Sequence, residues 1–341
     1  MGVQIGKIVA GREVEISYLS GRLIAIDAYN FIHQFLATIR DKVTGEPLKD
    51  RKGRITSHLS GTFYRTVNLM ENGIKTVWVF DGRPPEFKAV EISERNANKI
   101  EAMKKWEEAL KKGEEAKKYA QATSRVTDEI VEEVKELLGL FGIPSVQAIS
   151  EGEIQAAYMC KRGDVWAVAS QDYDALLVGA PRLVRNLSIS QRRKLPNKEV
   201  YTTVNPELVE LEKVLEELGI NQEQLILIGL LVGTDYNPGI KGIGPKKALD
   251  LVKECKDLDS LLDKVEFESK EDIRKIFNFF IDPPVVDDYK LEWKKPRIDK
   301  IVDFLVANHD FSEDRVRKAL NKIEESLSKG VQSSLEGWMK K

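Results

Sequence analysis

Seven acidic residues stand where the apolar pattern of the chain breaks. Asp27 ends LIAID, Asp81 ends TVWVFD, and Asp172 ends VWAVASQD with Asp174 two residues on. Glu151 and Glu153 follow the short apolar run IPSVQAIS, and Asp235 comes directly after LILIGLLVGT. One such carboxylate would ordinarily cap the next helix. Seven at strand or helix ends together need another reason. Gathered at one edge they would repel one another, and each would resist ionising beside its neighbours. A divalent cation removes that cost, and an oxygen-only donor set with no His or Cys points to Mg²⁺, with Mn²⁺ able to substitute. Seven carboxylates exceed what one ion needs, so two ions are expected. Two ions about 4 Å apart suit in-line displacement at a phosphodiester, one activating water and the other stabilising the leaving oxygen. No Ser–His or Cys–His arrangement offers a side-chain nucleophile instead.

The elements that must position these residues read as an α/β fold. LIAID (23–27), TVWVFD (76–81) and VWAVASQD (165–172) are short, apolar and β-branched, as buried strands are. Between them, 57–73 reads as a helix from a Ser cap to a Gly stop, and 128–142 as a helix from an Asp cap to a Gly stop. This alternation predicts a mostly parallel central sheet flanked by helices, with ligands bound beyond the carboxyl ends of the strands. From about 205 the chain reads as helix throughout: LVELEKVLEELG, NQEQLILIGLLVG and GPKKALDLVKE.

Residues 82–125 hold 11 Lys/Arg and 8 Glu with few large apolar residues. They fit either a solvated helical excursion or a charged flap over a site. In GTDYNPGIKGIGPKKALDLVKE (233–254), Gly239, Gly242 and Gly244 allow a tight hairpin between two helices. Pro245 suits the first position of the second helix. Free N–H groups there, with Lys246 and Lys247, would hold a backbone phosphate without reading bases. The stretch 181–198 carries six basic and no acidic residues, as a DNA-facing strand pair or a solvated hairpin would.

Composition bounds the rest. The 341 residues suffice for one large or two ordinary domains, and 42% hydrophobic content suits a globular chain. Lys+Arg total 53 against 55 Asp+Glu, so binding nucleic acid by bulk charge is excluded while a local basic surface is not. Two distant cysteines exclude a disulfide framework, and three histidines argue against a His-built zinc site. No stretch approaches a membrane span, so a cytoplasmic protein with no membrane partner is expected.

As an ordered set, IAIDAYNFIHQFL, SHLSGTFYRT, ENGIKTVWVFDGRPPEFK, SEGEIQAAY, SQDYDALLVGAP and LVGTDYNPGIKGIGPKKA resemble the flap endonucleases, structure-specific 5′ nucleases of replication and repair. The match covers nearly the whole chain, and the compact length looks like an archaeal member. The resemblance implies a 5′-nuclease (PIN-like) fold with a helical arch and a helix–hairpin–helix DNA-binding element. It implies that Asp27, Asp81, Glu151 and Glu153 surround one metal position and Asp172, Asp174 and Asp235 the other, with Glu153 near both. Lys88 and Arg95 match the family's basic pair on the first arch helix. Seven apart, they would face one side and stabilise charge on the scissile phosphate. Gly2 matches the family's buried N-terminus near the site. The 239–243 turn resembles the potassium-binding hairpin that grips duplex DNA, and 40–54 the region beside the 3′-flap pocket. His33 stands where the family often has Tyr, a ring that can stack on a substrate base.

The tail 332–339 (QSSLEGWM) resembles a sliding-clamp-binding box, with Gln332 in a polar pocket, Leu335 and Trp338 in an apolar one, and Met339 where a second aromatic is common. The expected organisation is an N-terminal nuclease region with the start of the arch (1–105), the rest of the arch (106–127), an internal nuclease region (128–225), the helix–hairpin–helix and C-terminal helices (226–325) and a mobile clamp-binding tail (326–341). The expected activity is a Mg²⁺-dependent, two-metal endo- and exonuclease on branched 5′-flap DNA, acting as a monomer in Okazaki fragment maturation and repair. A related 5′ nuclease preferring gaps or bubbles, or a non-catalytic clamp-bound DNA adaptor, remain the alternatives.

Overall fold

The computed structural model describes residues 2–41, 44–88, 126–188, 192–194, 201–255 and 257–328. Arg95 and the clamp-like box at 332–339 lie outside these residues, as does most of 82–125.

A seven-stranded sheet runs through the molecule in the order β1-β9-β6-β5-β2-β3-β4. The strands are β1 (Arg12–Glu13), β2 (Leu23–Asp27), β3 (Lys75–Phe80), β4 (Ser145–Gln147), β5 (Ala167–Ala169), β6 (Arg182–Arg185) and β9 (Glu207–Glu210). From β6 to β4 every pairing is parallel; only β9 runs the other way, pairing antiparallel with β6 on one side and with the edge strand β1 on the other. A separate pair, β7 (Arg192–Lys194) with β8 (Tyr201–Thr203), forms a two-stranded ribbon.

The central strands β2, β3 and β5 are almost wholly apolar because both their faces are covered, as parallel sheets require. In β2, Ile24 and Ile26 face one apolar cluster while Ala25 faces the other. In β3, Trp78 and Phe80 join the first of these and Val77 and Val79 the second. Helices α1 (Ala28–Thr38), α2 (Ser57–Glu71) and α3 (Asp128–Phe141) cover the Ile24 side. Helices α4 (Gly152–Arg162), α5 (Asp174–Val178), α6 (Leu211–Leu218), α7 (Gln222–Val232), α8 (Pro245–Glu254), α9 (Leu258–Lys264) and α10 (Lys270–Ile281) lie on the Ala25 side. Two further helices, α11 (Ile298–Val302, continued by a π-helical turn to Ala307) and α12 (Glu313–Ser328), return to the Ile24 side. Helix α7 is buried all round at Leu225–Leu231, which explains a sequence with no polar face, and the Asn221/Gln224 capping box fixes its start.

Three local expectations are corrected. Ser57 is not the cap of α2; Thr56 holds that position, and the Ser57 hydroxyl instead donates to the Ile39 carbonyl and accepts from the Leu48 amide. Asp128 is the first residue of α3, and the Thr127 hydroxyl accepts from the Ile130 amide in the capping role. The helix expected from about 205 begins only at Leu211, because Glu207–Glu210 pair antiparallel with Arg182–Arg185 and bury Leu208 and Val209.

A buried polar cluster fastens the C-terminal helices to the layer of α2 and α3. His58 of α2 places Nε2 at 2.7 Å from Oε2 of Glu133 in α3, and His309 places Nε2 at 3.9 Å from the other Glu133 oxygen. Beside it Arg54 pairs with Asp50 at 2.7 Å and donates to the Asn308 carbonyl.

Candidate metal centre at the strand ends

The parallel register sets the carboxylates. Ile26 pairs with both Trp78 and Ala169, so β2, β3 and β5 end side by side. Asp27 is the last residue of β2, and Asp81 follows Phe80 directly. VWAVASQD is strand only over Ala167–Ala169, so Asp172 lies in the loop beyond it and Asp174 opens α5. Glu151 stands at the N-terminal boundary of α4, its side chain making no capping bond, and Glu153 lies in that helix's first turn. Asp235 sits in the turn after α7.

Each of these groups is held by a donor. Asp27 accepts from the Asn30 amide at 3.1 Å and the Ser170 hydroxyl at 3.2 Å, so it caps α1 as well. Asp81 accepts from the Gly152 amide at 2.7 Å and Glu153 from the Ala175 amide at 3.0 Å. Asp172 accepts from the Gly2 amide and the Asn30 side chain, both at 3.1 Å. Asp174 accepts from the Val3 amide at 3.0 Å. Glu151 and Asp235 share Lys88, whose Nζ is 2.9 Å from one and 3.2 Å from the other. Among the described residues no three His, Cys, Asp or Glu side chains already form a coordination sphere. The carboxylate oxygens are turned onto amides and onto Lys88 instead.

Electrostatics nevertheless joins all seven. Burial, then Asp81 and Asp172, push the Asp27 carboxyl well above its usual range. Burial, then Asp174, Asp27 and Asp172, do the same to Glu153. Asp174 is pushed up to about 8 by burial and by Asp235, Asp172 and Glu151. Such raised proton affinity marks buried like charges crowded together. An all-oxygen set in that state fits a hard divalent ion. For Lys88, burial works against the ammonium, but Glu151 and Asp235 hold it protonated above the usual lysine range.

Gly2 lies directly against Asp172 and Asp174. A Cβ there would lie 2.4 Å from Asp174 Oδ2 and 2.5 Å from Asp172 Cβ. Beside Asp81 opens a cleft of about 490 Å³ lined by residues including Tyr29, Arg83, Lys135 and Gln147. His33 is half-buried on α1, past Asp27. Lys88 closes a short 3-10 turn (Glu86–Lys88), and its relation to Arg95 lies outside the described residues.

The second element is the hairpin between α7 and α8. Gly239 has φ +72, and a Cβ would meet the Val232 carbonyl at 2.5 Å, so only glycine fits. Gly242 also has positive φ, +85. Gly244 differs from the expected turn role: at φ −99 it is the cap of α8, with Pro245 first in the helix. Lys246 and Lys247 are exposed there, and Lys247 donates to the Gly242 carbonyl at 3.2 Å. Of the basic stretch 181–198, Arg182–Arg185 belongs to the main sheet, and Arg185 is committed to Glu207 at 2.7 Å and to the Tyr173 hydroxyl.

Sequence reasoning missed Asn30, Ser170 and Tyr236. Asn30 ties Asp27 to Asp172 and accepts from the Gln171 amide. Buried Tyr236, next to Asp235, packs against Phe87, Phe279 and Phe280, and burial, then Glu151 and Asp174, raise its phenol well above the usual range. The Asn30 signal was its place three residues after Asp27; Tyr236 carried none beyond adjacency to Asp235.

A parallel sheet with carboxylates at its carboxyl edge and a helix–hairpin–helix beside them defines a class of nucleases. Residues 1–102 match the family model of the XPG N-terminal domain, and residues 142–235 match that of the XPG I-region. Flap endonuclease 1 of Pyrococcus furiosus is 56% identical, covering 100% of both chains. The solved flap endonuclease-1 from Methanococcus jannaschii superposes with a TM-score of 0.75 at 42% identity, over 96% of this chain and 99% of that one. The catalytic core of Rad2 in complex with DNA substrate shares the fold, with a TM-score of 0.68 at 24% identity over 94% and 97% of the two chains. The chain belongs to the flap endonuclease family.

Proposed function

We propose that this protein is a structure-specific 5′ flap endonuclease, with 5′–3′ exonuclease activity, that hydrolyses branched DNA in replication and repair. The observation that carries the reading is geometric: β2, β3 and β5 end side by side, Asp27, Asp81, Asp172 and Asp174 stand at or just beyond those ends, and Glu153 and the Lys88-bridged Glu151 and Asp235 complete the set. Asp27, Asp81, Glu151 and Glu153 would hold one divalent ion and Asp172, Asp174 and Asp235 a second, with Glu153 near both. Bound there, Mg²⁺ or Mn²⁺ would lower the pKa of water and offset charge on the leaving oxygen.

The chain's own residues supply the rest. Asn30, Ser170 and the amides of Gly2, Val3, Gly152 and Ala175 fix the carboxylates, so little reorganisation is left for the reaction. Lys88 and Arg95 neutralise the scissile phosphate. His33 stacks on a substrate base near the junction. The 239–244 turn, with Lys246 and Lys247, grips a duplex phosphate backbone, and K⁺ at 239–243 would strengthen that grip. Residues 82–125 form the arch that selects a free 5′ end, and the 332–339 box binds a sliding clamp. The chain works as a monomer in the cytoplasm.

A substrate panel tests this: 5′-flap, gapped, bubble and single-stranded DNA, each with Mg²⁺ under single-turnover conditions. Fastest cutting of the flap DNA is expected. Equal rates on all substrates, or binding without cutting, would overturn it.

A further inference from the structure

Lys88 stands where its proposed role toward the phosphate would not put it. Its Nζ lies between two of the carboxylates, 2.9 Å from Glu151 Oε1 and 3.2 Å from Asp235 Oδ2, and 5.6 Å from the centre of the Tyr236 ring. The side chain is only 12% exposed. Its backbone is anchored: the Lys88 amide donates to Pro85 at 3.0 Å, and the Phe87 ring packs edge-on against Tyr236 and Phe279. The side chain can therefore swing while its attachment point stays fixed.

Mg²⁺ demands carboxylate oxygens at about 2.1 Å, and Ca²⁺ at about 2.3–2.6 Å. Neither ion can take them from Glu151 and Asp235 while an ammonium bridges the same pair, because two cations would be forced together. We propose that Lys88 is the site's built-in counter-cation, bridging Glu151 and Asp235 until a divalent ion displaces it toward the substrate side. The inference rests on the metal-centre reading above. It adds a sequence of events: ion loading is what frees the lysine, so the basic group reaches the phosphate only in a metal-loaded site. In the metal-free protein the lysine screens carboxylates that would otherwise face each other. By linkage the competition is reciprocal: the ion weakens the lysine's hold as much as the lysine weakens the ion's.

The test uses the full-length protein stripped with EDTA and titrated with Mg²⁺ or Ca²⁺. Acylation of Lys88 by a water-soluble succinimidyl ester is followed by peptide mass spectrometry, with exposed lysines as internal reference. Only a free amine reacts, so Lys88 should label slowly without metal and about tenfold faster at saturating ion, within the range typical of coupled sites. Isothermal titration calorimetry supplies the second arm. Lys88→Met should tighten Mn²⁺ binding by about tenfold, whereas Lys213→Met, which removes a charge held by Glu210, should change it less than about twofold. Metal binding with unchanged Lys88 labelling would overturn the displacement and leave the metal centre standing. No metal binding in either protein would overturn both. If Lys88→Met fails to fold, labelling of the wild-type protein decides.

Discussion

With its carboxyl buried beside Asp172 and Asp235, Asp174 keeps a proton up to about 8 in the metal-free fold, against about 3.8 when exposed. Between those values the folded state binds more protons than the unfolded one, so stability from this group falls as pH rises. Asp174→Asn keeps the oxygen that accepts from Val3 and removes the charge. In EDTA its Tm should equal or exceed that of the wild type, by more near pH 8 than near pH 5, as read by calorimetry. A uniform loss of Tm would mean the charge is not repelled. Gly2→Ala tests placement. Its Cβ has no room beside Asp172 and Asp174, so the carboxylates must shift. Cleavage should fall by about tenfold to a hundredfold, the usual cost of disturbing groups that orient metal ligands, with duplex Kd unchanged. Equal activity would show that the first residues do not set the site.

The elements carry a different sensitivity. Helices α2 and α3 meet the segment before α12 through His58, Glu133 and His309. Burial, opposed by Glu133 and Asp50 and reinforced by Arg54 and His58, holds the His309 imidazole below its ordinary value of 6.5. A depressed folded pKa gives stability that is present above 6.5 and lost as pH falls toward the folded value. His309→Gln should therefore make the fall in Tm between about pH 6.5 and pH 5 shallower, whatever its effect at pH 8. An unchanged slope would place the acid sensitivity elsewhere. The elements also show what local pattern can carry. Strands β2, β3 and β5 were legible because buried parallel strands are unbroken apolar runs, and the carboxylates because they end those runs. Strand β9 was not, since ELVE followed by LEKVLEELG continues a helical period and only the distant partner Arg182–Arg185 makes it a strand. Lys88 between Glu151 and Asp235, and Tyr236 against Phe87 and Phe279, depend on tertiary packing that no spacing encodes.

At the scale of the whole molecule, a net charge of −2 means that DNA must be held by local features rather than by the chain's overall field. Under the proposed function the hairpin after α7, with Lys246 and Lys247 exposed, would be such a feature, and Lys88 touches Asp235 in its turn. The ordered motifs made the α/β architecture legible, as the family match over the full chain bears out. Partner binding is separable: deleting 332–341 should leave basal cleavage intact and abolish stimulation by a sliding clamp, and persistent stimulation would refute the box. The central claim is that the seven carboxylates form a divalent metal centre that cuts a phosphodiester near a junction. Its most direct measurement is single-turnover cleavage of a 5′-labelled double-flap DNA by the wild type and Asp174→Asn, with Mg²⁺ and with EDTA. The account predicts one Mg²⁺-dependent cut near the junction, slowed by about 10²–10³-fold in Asp174→Asn, the scale of losing one preorganised electrostatic partner. Cleavage that persists in EDTA, or an Asp174→Asn enzyme as fast as the wild type, would contradict it.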